Sequence, residues 1–182
     1  IDILPTFLDA AGIAVPEGVD GFSFLPVLEG RTQAGRDFVF TQFHQTAGNR
    51  NYPMRCVQTA RYGYIFSPWS NGSRVFLNES QAGRSFSAMR AAAAKDAAIA
   101  ARVELFLHRV PEELYDFAAD PDALANRIAD PACAAERVRL QEALEAWMEK
   151  TKDPALEAFR NRHNPSACEE AVRQSIATLG GE

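Results

Sequence analysis

Residues 54–67, MRCVQTARYGYIFS, decide the fold of this chain. Two runs rich in β-branched and aromatic side chains meet at Ala60-Arg61-Tyr62-Gly63. That pattern predicts a β-hairpin, with Gly63 supplying a positive φ at the turn. Working outward, Asp37 to Phe43 predicts another strand: Phe38, Phe40 and Phe43 are apolar, Val39 implies burial on both faces, and Thr41 is β-branched. The polar loop HQTAGNRNYP separates that strand from the hairpin. On the far side, Glu113 to Phe117 predicts a fourth strand running into an Asp-Pro turn.

Helical signals surround these strands. Residues 86–108 are Ala-rich, with a break near Lys95-Asp96 and a stop at Pro111. Asp130 caps a long helix opened by Pro131, with Leu140, Leu144, Trp147 and Thr151 as its inner stripe. Asp153-Pro154 starts a short helix, and Ser166 with Glu169 predicts a capping box for a last one. At the front, IDILPTFLDAAGI reads as an amphipathic helix capped by Asp2 and closed by Gly12, its apolar stripe being Ile3, Leu4, Phe7, Leu8 and Ala11. After a Gly/Pro-punctuated loop, Ser23 caps a short helical turn through Leu28, with Gly30 as its stop. Strands and helices do not alternate regularly. The expected class is α+β: a small antiparallel sheet of about four strands, with the C-terminal helices packed on one face.

Composition narrows the function classes. At 182 residues and 47% hydrophobic, the chain can bury a core. No run reaches the ~18 apolar residues of a membrane span. The net charge of −5 is spread without a basic stripe, which argues against nucleic acid as a partner. Cys56, Cys133 and Cys168 form no CxxC, so they read as small buried or free thiols, with a Cys133–Cys168 disulfide as the other reading. The opening helix needs a layer to cover it, so the expectation is the back portion of a larger protein.

Three segments, in this order, resemble the sulfatase family of the alkaline phosphatase superfamily. The first is DILPTFLDAAGI followed by VDGFSFLPVLEG, the second the hairpin VQTARYGYIF, and the third EELYDFAADPDALANRI. Within the family, FHQTAGNRNYPMRCV and WMEKTKDP look most like the N-sulfoglucosamine sulfohydrolase (heparan N-sulfatase) branch. The resemblance implies that residues 1–30 are the trailing edge of a catalytic domain and that residues 31–182 form the C-terminal domain. It also implies a parent that hydrolyses sulfate esters or sulfamates, with a formylglycine as nucleophile and a calcium ion polarising the sulfate. Phosphodiesterases and phosphonate hydrolases share the scaffold and stand as the alternative chemistry. A non-catalytic binding or oligomerisation module, and with it a homo-oligomer, is the alternative from another class.

No C/S-x-P-S-R motif for the formylglycine occurs here: Cys56 is followed by Val57-Gln58-Thr59, and Pro165-Ser166 by Ala167. The expectation is therefore no catalytic residue, metal or cofactor in this chain, with the missing N-terminal catalytic domain as its partner and a sulfated sugar as the parent's substrate.

Three residues are candidates for substrate binding. The resemblance puts His44 and Gln45 in a loop at the mouth of the pocket; the other reading of His44 is a surface histidine without a role. Arg55 has the planar fork that reads sulfate or carboxylate, and its other reading is an outward strand residue paired with an acid. Arg61 reads as structural. His108 and His163 lack metal-ligand spacing. Trp69 could stack on a sugar or pack beneath its loop. Glu112, Glu113, Asp116, Asp120 and Asp122 lack the pattern of a calcium loop and read as turn chemistry and a solvated edge.

Overall fold

A computed structural model describes residues 1–179. The chain divides into two compact units, Ile1–Phe38 and a second from Val39 onward.

The first unit holds α1 (Ile3–Ala10) and α2 (Leu25–Leu28). Asp2 does not cap α1: its carboxylate accepts from Phe22 N and pairs with Arg36 Nη1 at 2.5 Å. That pairing holds Asp2 below the usual carboxylate range. Arg36 also donates to the carbonyls of Phe22 and Ser23, and Gln33 donates to Ser23 O. Gln33 and Arg36 are thus tied to the first unit. Gly12 and Gly30 close their helices with φ of 67° and 76°. The apolar stripe of α1 stands in the open, with Ile3, Leu4 and Phe7 exposed at 61, 54 and 70%.

The second unit is built on four strands: β1 (Val39–Gln45), β2 (Asn51–Gln58), β3 (Tyr62–Phe66) and β4 (Glu112–Asp116). They form one antiparallel sheet in sequence order. The turn between β2 and β3 lies one residue earlier than expected. Thr59 N donates to Tyr62 O at 2.8 Å, and Thr59 Oγ1 accepts from Arg61 N and Tyr62 N. Gly63 is already in the strand and does not have a positive φ. Its requirement is space, because a Cβ there would lie 2.7 Å from Phe117 Cζ.

Between β3 and β4 run α3 (Arg84–Ala93) and α4 (Ala97–Leu107), and the break falls where expected: Asp96 accepts from Ala98 N and Ile99 N. After β4 come α5 (Ala134–Thr151), α6 (Leu156–Arg160) and α7 (Pro165–Leu179). Helix α7 starts on Asn164, whose Oδ1 accepts from Ala167 N, not on a Ser166 capping box. Val57, Tyr64, Phe66 and Leu114 share the inner face of the sheet and are wholly buried, as are Leu140, Leu144, Met148 and Phe159 of α5 and α6. Phe66 and Tyr64 both meet Phe159 edge-on. The buried stripe of α5 is Leu140, Leu144 and Met148; Thr151 is exposed, and Trp147 is half-buried with its indole stacked on Phe40 at 5.2 Å. A second apolar cluster, Tyr52, Trp69 and Phe76, packs Trp69 beneath its loop at 2% exposure. The three cysteines are free thiols. No described helix is long and apolar enough to cross a membrane.

Candidate functional site

The candidate residues converge on the end of β1, an edge strand. Pairing runs regularly to Phe43↔Met54 and resumes at Gln45↔Asn51. Two residues of β2, Tyr52 and Pro53, therefore oppose the single residue His44, which makes a β-bulge. Pro53 has no N–H for the ladder, so the bulge falls where the ladder loses a donor. His44 and Gln45 are thus the last residues of a strand rather than part of a loop, and the connection to β2 is only Thr46–Arg50. It is closed by Thr46 N on Arg50 O, with Asn49 in the left-handed region.

Arg55 points the opposite way from its outward-facing reading. It shares the inner face with Val57, and its side chain is wholly buried. Nε donates to Asp153 Oδ2 at 2.5 Å and Nη2 to Asp153 Oδ1 at 2.7 Å. Nη1 donates to the carbonyls of Met54 and Phe43 at 2.8 and 3.3 Å. Its donors are thus engaged within the protein, and its side chain has no exposed surface. Its Nη2 also lies 3.5 Å from His44 Nδ1. A guanidinium only donates, so Nδ1 must accept, and the proton of a neutral ring sits on Nε2. Burial, then the positive charge of Arg55, lower the pKa of His44 from its ordinary value, against a smaller opposing pull from Asp153. The bulge therefore presents a neutral imidazole that is half-buried and carries an Nε2 donor. Gln45 lies on the exposed edge, where its amide donates to Asn51 Oδ1 at 3.2 Å.

Asp153 was legible only as the start of α6. Helix α5 ends with Lys152 in the left-handed conformation, and Asp153 N returns to Met148 O. This turn sends the Asp153 carboxylate inward to Arg55, while Oδ1 also accepts from Ala155 N.

The acidic residues around β4 are spent on structure. Asp116 pairs with Arg61, which holds its pKa at about 2. Glu113 accepts from Arg109 and Tyr115, and Asp120 accepts from Leu124 N and Ala125 N. Among the described residues no group of three or more His, Cys, Asp or Glu side chains could hold a metal ion. The C/S-x-P-S-R motif is not in the sequence.

Comparison with known proteins bears on the family of the chain. The family model described as N-sulphoglucosamine sulphohydrolase, C-terminal, matches residues 1–71. The chain is similar to the ulvan-active sulfatase of Formosa agariphila, 30% identical over 84% of this chain and 29% of that protein. It is also similar to the Delta 4,5-hexuronate-2-O-sulfatase of Bacteroides thetaiotaomicron, 35% identical over 42% of this chain and 16% of that protein. A solved 2-O GAG sulfatase superposes with a TM-score of 0.54 at 25% identity, over 84% of this chain and 25% of its own. The chain spans less than a third of the length of each. Sheet order, sequence and family model agree, and the chain belongs to the sulfatase family, of which it carries the C-terminal portion.

Proposed function

We propose that this chain is the accessory C-terminal domain of a sulfatase acting on a sulfated sugar, and that it supplies part of the rim of the substrate pocket through His44. The observation that carries this reading is the bulge at the end of β1, where Arg55 and Asp153 fix a neutral imidazole with Nε2–H as donor. Such a donor suits a sugar hydroxyl or a sulfate oxygen, and it brings no charge of its own to repel or trap either. Gln45 on the neighbouring edge adds a second uncharged hydrogen-bonding group. Relatives named as an ulvan-active sulfatase and a Delta 4,5-hexuronate-2-O-sulfatase support the sugar class, whereas a specificity for N-sulfoglucosamine rests on the family model alone. The exposed apolar stripe of α1 suits docking against the remainder of such a protein.

The test is kinetic. In a sulfatase carrying this segment, H44A is expected to raise KM for the sulfated sugar about tenfold while kcat changes less, the signature of a contact made in ground and transition states alike. Abolished kcat with unchanged KM would put His44 in the chemistry, and no change in either would remove it from the site. The chain by itself is expected to release no sulfate from aryl sulfates or sulfated sugars, with or without calcium.

A further inference from the structure

Between the outer face of the sheet and the α3–α4 pair lies a cavity of about 540 Å3. That volume falls in the range of small-molecule sites. Ile65, Phe86, Met89, Leu105, Phe106 and Phe117 give it an apolar wall, and Arg102, Arg109 and Tyr115 a polar one. Arg109 Nη2 donates to Glu113 Oε2 at 2.7 Å, and the Tyr115 hydroxyl donates to the same oxygen at 2.5 Å. Arg109 Nε and Arg102 Nη1 are buried and have no hydrogen-bond partner among the described residues. Arg102, Arg109 and Tyr115 thus line one and the same cavity.

The charge count along the cavity wall is unbalanced. Glu113 is wholly buried and offsets one arginine, leaving one positive charge over. Asp122 lines the cavity too, but it is exposed and screened by solvent. Glu113 Oε1 has no hydrogen-bond donor among the described residues either. Buried guanidinium nitrogens without acceptors are unfavourable until an acceptor reaches them, and the apolar wall rewards a hydrophobic body. A hydrated inorganic ion would satisfy only the first condition.

We propose that this cavity binds a small amphipathic monoanion, its head on Arg102 Nη1 and Arg109 Nε and its apolar body against Ile65, Phe86, Met89 and Phe106. Carboxylates with an aliphatic tail and sulfate monoesters of apolar alcohols share this chemistry.

Calorimetric titration of the full chain with decanoate, octyl sulfate, decan-1-ol and inorganic sulfate separates the cases. One-to-one binding of decanoate or octyl sulfate is expected, with decan-1-ol and inorganic sulfate at least tenfold weaker. Tighter binding of octyl sulfate assigns a sulfate-ester source, and tighter binding of decanoate a carboxylate source. Arg102 makes no ion pair among the described residues, so R102A should fold and should weaken the anion about ten- to hundredfold, the worth of a charged hydrogen bond. M89W, at an exposed helical position on the wall, fills the cavity and should abolish binding. Failure of both anions to bind, decan-1-ol binding as tightly as they do, or unchanged affinity in folded R102A and M89W would overturn the proposal.

Discussion

Arg55 and Asp153, 98 residues apart in sequence, form a bidentate ion pair in which neither side chain retains more than 1% exposure. It joins the inner face of β2 to the turn between α5 and α6, and so fastens the C-terminal helices to the sheet beside His44. Removing one partner strands the other charge in a site without water. Asp153→Ala is expected to destabilise the chain by about 3–5 kcal/mol in urea unfolding, because a buried charge loses its counterion. Arg55→Met with Asp153→Leu should recover much of that loss, although Ala155 N stays unmet. A single variant costing under about 1 kcal/mol would show that the pair is not desolvated as described.

His44 resists protonation, and this has a defined sign. Its folded pKa lies below the ordinary 6.5, from burial first and Arg55 second. An unfolded chain takes up that proton near pH 6.5 while the folded chain does not. The associated stability is whole above about pH 6.5 and drains as pH falls toward the folded pKa. The His44 C2–H resonance should therefore titrate with a midpoint below 6.5, and the fall in Tm between pH 7.5 and 5 should be shallower in H44N than in the parent. A midpoint at or above 6.5 would contradict the Arg55 contact.

Gly63 is held by a neighbouring ring and not by its own backbone. Gly63→Ala brings a methyl to 2.7 Å from Phe117 Cζ. The ring has to move, and the expected cost is about 1–2 kcal/mol. In Gly63→Ala with Phe117→Ala the penalty of the methyl should disappear, which a double-mutant cycle reads as coupling. Additive effects would return Gly63 to a turn-conformation role.

The elements of this fold were legible because each rests on short-range physics. Alternating β-rich runs around Arg61 and the Asp96 break specify strands and a cap within a few residues, and their irregular order already implied an antiparallel α+β sheet; Asp130 caps a 3-10 turn, Pro131–Cys133, and the long helix itself starts only at Ala134. The residue-level roles were not legible in the same way. An arginine in a strand reads identically whether it faces water or a carboxylate, and the carboxylate that decides it for Arg55 lies beyond five intervening helices and strands. The position of His44 in a bulge, and not a loop, depends on Pro53 failing its partner strand. Gly63 looked like a turn residue because glycine serves both positive φ and close approach, and only Phe117, delivered by β4, distinguishes them. Arg109 and Glu113 are four residues apart and could be paired by eye, but the cavity they share with Arg102 exists only once α3 and α4 lie over the sheet. Local sequence determined which elements form; burial, which is a property of the assembled layers, decided which charges they bring together.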